Sequence, residues 1–234
     1  MKKVFFTVFI LAMFAGMSSA FAQSHSKFSS LGINSDITFG LRGGLNFSKM
    51  AFEEDNDEQK ARLGYNIGVI ADIPTGMPSL YFKPGLFLTS KGLRYSESES
   101  GNDDDGYDYS YKYTTKWNLN YLQVPLLASY RHTLPNDMEL QVNLGPYLAF
   151  AVTGKYQEKW KDTYDGETEK GNESESMLGS DYDTKRFDFG LCFGAGITFD
   201  KYYLGLQYDL GLTDFIDGEK CKNRVFSIGI GYNF

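Results

Sequence analysis

The last nine residues alternate without a break: Phe226, Ile228, Ile230, Tyr232 and Phe234 take every second position, with Ser227, Gly229, Gly231 and Asn233 between them. A period of two puts successive side chains on opposite faces of an extended strand, so this segment reads as a strand with one large apolar face and one small polar face. The pattern recurs along the chain. Phe39, Leu41, Leu45 and Phe47 oppose Gly40, Arg42, Gly44, Asn46 and Ser48, and Leu63, Tyr65, Ile67, Val69 and Ala71 oppose Arg62, Gly64, Asn66, Gly68 and Asp72. Leu140 to Phe150, Phe187 to Phe199 and Leu204 to Leu212 repeat it, and two less regular segments run from about Leu80 to Tyr95 and from about Trp117 to Arg131. Pro84 and Pro125 interrupt those two, since proline has no N–H to give to a ladder.

This makes eight strands, and their connections alternate in length. Pro74 to Pro78, His132 to Asp137 and Asp200 to Lys201 are short, whereas Lys49 to Ala61, Ser96 to Thr115, Gly154 to Thr184 and Asp214 to Asn223 are long. A soluble sandwich could also be built from alternating strands. Here, however, no strand is blunted by charge on its apolar face, as an exposed edge strand would be. The opposite face is mostly Gly, Ser, Asn, Thr and Gln, which suits the crowded interior of a small barrel. The expected fold is therefore all-β, an eight-stranded antiparallel up-and-down transmembrane β-barrel. Short turns at one end and long loops at the other match outer-membrane barrels, with both termini periplasmic.

The N-terminus supports export. Lys2 and Lys3 precede an apolar run from Val4 to about Gly16, then Ala20-Phe21-Ala22, the layout of a cleaved signal peptide over residues 1–22. Residues 23–36 then form a short periplasmic segment and 37–234 the barrel domain.

With 30 acidic against 23 basic side chains and a net charge of −7, the chain is a poor candidate for a nucleic-acid partner. Of the 30 acidic residues, 23 fall in the four long loops, so one rim should be acidic. The Asp103-Asp104-Asp105-Gly106 run invites a calcium site, but Gly101 stands where the first calcium-loop aspartate belongs, and a solvated acidic loop is preferred. No cofactor or metal is expected. The two histidines, His25 and His132, lie after the cleavage site and in a short turn, where neither reaches the outer rim, so no enzyme is expected. Cys192 falls in a strand and Cys221 in a loop, an unpromising arrangement for a disulfide.

On the polar face, Arg42, Arg62, Asp72, Lys83, Glu139, Asp188 and Asp209 would point into the lumen and form a salt-bridged plug, because unpaired buried charge is costly. The aromatic ending of the alternation, Tyr232 and Phe234, resembles the assembly signal of bacterial outer-membrane barrels, which implies the barrel-assembly machinery as a partner. The long loops carry clustered aromatics, Tyr107, Tyr109, Tyr111 and Tyr113 and then Tyr156, Trp160 and Tyr164.

The pieces Gly40-Leu41-Arg42-Gly43-Gly44-Leu45-Asn46-Phe47-Ser48, Phe82-Lys83-Pro84-Gly85-Leu86, Tyr121-Leu122-Gln123-Val124-Pro125-Leu126-Leu127, Gly145-Pro146-Tyr147 and Phe187-Asp188-Phe189-Gly190-Leu191 follow one another along the chain. In that order, with the closing Ile228-Gly229-Ile230-Gly231-Tyr232, they resemble the PorT-type outer-membrane β-barrel family common in Bacteroidetes. The resemblance implies the bacterial outer membrane, contact with its lipid and lipopolysaccharide, and a structural or accessory role in a protein secretion or envelope assembly. The loops leave a second reading open, an adhesin-like barrel that binds a ligand through them.

Overall fold

A computed structural model describes residues 37–52, 59–104, 106–178, 184–218 and 220–234. The expected signal peptide and the segment up to residue 36 lie outside the described residues, as does His25. The described chain forms eleven strands where the alternation predicts eight. They are β1 (Thr38–Phe52), β2 (Gln59–Lys60), β3 (Arg62–Pro74), β4 (Leu80–Lys91), β5 (Arg94–Asn102), β6 (Asp108–Thr133), β7 (Met138–Tyr164), β8 (Glu167–Ser176), β9 (Phe187–Phe199), β10 (Tyr202–Asp214) and β11 (Cys221–Asn233).

All the strand pairings are antiparallel. They run β6-β4-β3-β1-β11-β10-β9-β7, and β7 pairs again with β6, so the sheet closes on itself. Strands β2, β5 and β8 hang on the margins of this circuit. Closure gives every wall strand a neighbour on both sides, which a sheet in hydrocarbon requires. The prolines leave local gaps. Pairing between β6 and β7 lapses between Pro125↔Tyr147 and Ala128↔Leu144, where Pro146 also stands, and that between β3 and β4 lapses beside Pro84.

Outward positions remain bare on every wall strand. Leu45, Leu63, Val142, Leu144, Leu204 and Ile230 are among the many large apolar residues that stand exposed. Inward positions are buried, as Arg42, Asn46, Ser48, Gln123, Gln141, Asp188 and Ser227 show. A soluble protein would invert this arrangement. The apolar belt fits a lipid-facing wall, and aromatics gather at the turn end, where Tyr202 and Tyr232 lie 5.7 Å apart and Tyr232 and Phe234 5.5 Å apart in edge contacts.

Two expectations about the connections need correction. The stretches Ser96 to Thr115 and Gly154 to Thr184 are read as loops from sequence, but they hold β5, the first part of β6, the end of β7 and β8. At 26 and 27 residues, β6 and β7 far exceed the roughly 9–11 needed to cross a bilayer. β5 continues β4 in the same register against β6 after a break at Gly92 and Leu93. Gly92 has φ +138°, and a Cβ there would sit 2.0 Å from the Trp117 carbonyl oxygen, so only glycine fits the break. Cys221, expected in a loop, opens β11, and both cysteines are buried thiols.

Candidate functional site

The interior charges fall into separate groups rather than one plug. Toward the turn end, Asp72 forms ion pairs with Arg131 at 2.6 Å and Lys83 at 3.4 Å, while Glu139 stands 3.7 Å from Arg131 at the rim. Arg42 lies 4.3 Å from the centre of the Tyr203 ring and donates to Asn233 at 2.7 Å. Midway, Asp209 accepts the amides of Gln207 at 2.7 Å and Gln123 at 2.9 Å. A cavity of about 70 Å³ separates these layers. Toward the loop end, Asp188 accepts Lys91 at 2.9 Å, and it also takes hydrogen bonds from Tyr147, Thr213 and Asn223. Arg62 donates to Asn118, Ser90 and the Lys91 carbonyl.

Sequence reading placed Arg42, Asp72, Lys83, Asp188 and Asp209 on the polar face, and each is buried there. Arg62 is partly buried and Glu139 about a third exposed. The structure joins Asp72 to Lys83 but leaves Asp188 and Asp209 in layers of their own. Two inward cations escaped that reading, Lys91 and Arg131, because each stands at the end of a strand whose register was the least regular.

Beyond Asp188 the interior turns apolar. Met50, Leu93, Leu119, Tyr121, Met177, Phe215 and Cys221 pack into one buried cluster, with Phe52, Trp117, Leu178 and Ile216 against it. Leu93, Met177 and Phe215 come from three different connections, so the loops fold inward over the mouth. Isolated apolar residues in otherwise acidic loops were the available signal.

Past this lid, β2, β5, β6, β7 and β8 form an open sheet standing off the closed wall, the blade. Its two faces follow from register, since paired residues in antiparallel strands point the same way. One row reads Glu97, Tyr113, Trp160 and Gly171; the next reads Glu99, Tyr111, Asp162 and Glu169; the third reads Gly101, Tyr109, Tyr164 and Glu167. This face is aromatic and acidic. Glycines in both edge strands let the neighbouring rings lie flat: a Cβ on Gly171 would meet the Trp160 ring at 2.3 Å, and one on Gly101 would meet Tyr109 at 3.0 Å. Tyr111 and Tyr113 stack at 6.5 Å. The hydroxyls of Tyr113 and Tyr156 both donate to Glu158, which holds its carboxyl below the usual glutamate range. Tyr164 donates to Asp103 at 2.6 Å, an acceptor that raises the Tyr164 phenol. Asp103 is thereby committed to the blade tip, and among the described residues no cluster is placed to hold a metal ion.

Rows on the other face interleave with these. They read Lys60, Arg94, Lys116, Gln157 and Ser174; then Ser96, Thr114, Lys159 and Asn172; then Ser98, Lys112, Lys161 and Lys170; then Ser100, Ser110, Thr163 and Thr168. Among the described residues of these rows there is no carboxylate. The segregation depends on a bulge. Asn120 pairs with Thr153 but Tyr121 with Ala151, leaving Val152 extra and shifting the alternation of β7 by one. Tyr156, Glu158 and Trp160 thus join the face that continues the barrel interior, and Lys155, Lys159 and Lys161 the face that continues its apolar exterior.

Among solved structures, Ail of Yersinia pestis in complex with the heparin analogue sucrose octasulfate is similar at 16% identity and TM-score 0.34, covering 86% of this chain and all of that one. Neisserial surface protein A is similar at 11% identity and TM-score 0.36 over 86% of this chain and 100% of that one. The translocator domain of the autotransporter NalP from Neisseria meningitidis is similar at 12% identity and TM-score 0.28, covering 96% and 97%. No curated protein matches the chain. A family model does, over residues 21–217: with its closed antiparallel wall and apolar exterior, the chain is a bacterial outer-membrane barrel of the outer membrane protein beta-barrel domain family.

Proposed function

We propose that the chain is a closed outer-membrane anchor that holds a ligand-binding β-blade outside the cell. The wall is the eight-membered circuit β1, β3, β4, β6, β7, β9, β10 and β11, the turns and both termini are periplasmic, and the blade is extracellular. The observation that carries this is the aromatic and acidic face of the blade, with Trp160 and Tyr109 laid flat over glycines and carboxylates spaced between the rings. Aromatic faces and carboxylates together favour a cationic partner, through ring quadrupoles and charge. A basic segment of another envelope protein fits that chemistry. A PorT-type accessory role in secretion, implied by the family resemblance, is therefore compatible with this site. The stacked ionic layers and the apolar lid oppose ion flow, so the barrel serves as a scaffold and not a channel. No catalytic role is part of the reading, since His132 stands at the turn end of β6, far along the strand from the blade.

The test is binding of an arginine-rich peptide to the protein refolded in phosphatidylcholine nanodiscs. Paired Tyr111→Ser and Trp160→Ser substitutions should weaken binding about tenfold or more, given about 0.5–2 kcal/mol for each cation–π contact. Unchanged binding would overturn the assignment of this face. Recovery of envelope proteins with the unboiled barrel from detergent extracts, lost in the same variant, would support the accessory role.

A further inference from the structure

The opposite face of the blade carries chemistry of its own. It is the direct upward continuation of the lipid-facing wall: on β6 the outward positions run from Leu126, Val124 and Leu122 through Asn120 and Asn118 to Lys116, Thr114 and Lys112. On β7 the bulge at Val152 hands the outward alternation to Thr153, Lys155, Gln157, Lys159 and Lys161. A strand advances about 3.3 Å per residue, so Lys116 lies some 20 Å along the strand above Leu122 and Lys112 a little over 30 Å. Allowing for the tilt of barrel strands, these cations start at headgroup depth and extend into the sugar layer above it.

We propose that this basic face is a docking surface for the phosphorylated headgroups of the glycolipid leaflet in which the barrel sits. The occupant follows from position and charge. Lys112, Lys161 and Lys170 share a row whose neighbouring strands are about 4.8 Å apart, so the three lysines rise from backbone positions spanning about 10 Å. Lys159 and Lys116 lie one and two rows below. Serine and threonine hydroxyls fill the intervening positions, and both types of group donate to phosphate oxygens. Among the described paired residues of the blade the carboxylates occupy the other face, except Asp108 at the tip, which accepts the Asn102 amide. The cations crowd one another: burial and the charges of Arg94 and Lys159 lower the Lys116 ammonium. A bound anion relieves that repulsion. The inference extends the proposed topology, because it needs the blade to stand on the glycolipid side.

The experiment uses the full barrel in two kinds of nanodisc, phosphatidylcholine alone and phosphatidylcholine with diphosphoryl lipid A, read by amide hydrogen exchange across Asp108 to Lys116 and Lys155 to Thr163. Lipid A should slow exchange at least about fivefold, the scale of one lysine at an anionic surface, and high salt should reverse the effect. A variant carrying Lys112→Gln, Lys159→Gln, Lys161→Gln and Lys170→Gln should lose the slowing, while Glu97→Gln with Glu169→Gln should keep it. Equal exchange in the two discs, or slowing that survives in the lysine variant, overturns the proposal. So does slowing by soluble heparin in phosphatidylcholine discs with none from lipid A, which would make the face a polysaccharide site. Topology is read separately, by labelling Thr168→Cys on intact cells with an impermeant maleimide, since the two native thiols are buried. Absence of labelling would overturn the extracellular placement and this proposal with it, whereas labelling with equal exchange in the two discs would overturn the proposal alone.

Discussion

Lys91 Nζ lies 2.9 Å from Asp188 Oδ2 with both side chains sealed from solvent, and the two partners are not equally replaceable. Asp188 has three further donors in Tyr147, Thr213 and Asn223, whereas the other close neighbours of the Lys91 ammonium are the ring faces of Tyr147 at 4.2 Å and Tyr121 at 5.1 Å. Removing one partner of a buried pair leaves the other charge uncompensated, at about 3–5 kcal/mol. Asp188→Ala should approach that cost, because it strands the lysine. Lys91→Met should cost about 1–3 kcal/mol, the scale of a weakened hydrogen-bonded group, since the carboxylate keeps its other donors. Urea unfolding of the barrel in lipid vesicles gives both values, and equal losses would show that the extra donors contribute nothing.

Tyr203 makes a second interior prediction. Its ring lies over Gly205 and Gly196, where added Cβ atoms would sit 2.4 Å and 2.3 Å from ring carbons, and the Arg42 guanidinium stacks on the ring at 4.3 Å from its centre. Gly205→Ala must push the ring out of this sandwich, and overpacking of this kind costs about 1–3 kcal/mol. In a Tyr203→Ala background the same alanine should be nearly silent. A double-mutant cycle on unfolding measures the difference, and additive effects would mean that the ring moves freely.

How far the sequence carried the fold is clearest in β7. Leu140 to Phe150 show clean alternation, and their inward and outward sides are correct in the structure because a lipid-facing wall needs large apolar residues at every second position. Past Val152 the apolar signal ends, yet the strand continues to Tyr164. There the alternation sets tyrosine, tryptophan and acid against lysine, serine and threonine, two polar faces that a search for apolar periodicity passes over. Tyr107, Tyr109, Tyr111 and Tyr113 already stood two apart, which was the available clue. The bulge that sorts the charges has no signature in residue type. The summed charge of the loops likewise hid that their cations share a face, since only register reveals it.

Glu158 gives a pH prediction. Its carboxylate accepts the hydroxyls of Tyr113 and then Tyr156, which together lower its pKa from the ordinary 4.5. The folded blade therefore favours the ionised form. The stabilisation it brings is complete above the ordinary value and is lost as pH falls through the lower folded value. Once the intrinsic pH dependence of amide exchange is divided out, the protection factors around Tyr113 and Tyr156 should fall on acidification in the native protein, and Glu158→Gln should remove that dependence. Because the group is near the surface, the effect is confined to blade opening and should leave global unfolding unchanged.

Phe234 directly follows the last strand, with its side chain largely exposed and its backbone N–H bound to the Phe39 carbonyl at 2.9 Å, at the seam where β11 meets β1. The ring stands outside the buried interior and packs edgewise on Tyr232. Phe234→Ala should therefore change the unfolding free energy of the purified, refolded barrel by less than about 1 kcal/mol, as surface substitutions usually do. If Tyr232 and Phe234 act as the signal for assembly, the same substitution should sharply lower the amount of heat-modifiable barrel in outer-membrane fractions of growing cells, and Tyr232→Ala with it should lower it further. A loss in cells without a loss in vitro separates recognition by the assembly machinery from stability. Equal losses in both settings would make these aromatics part of the fold's own interfacial girdle, and normal amounts in cells would remove them from the assembly signal.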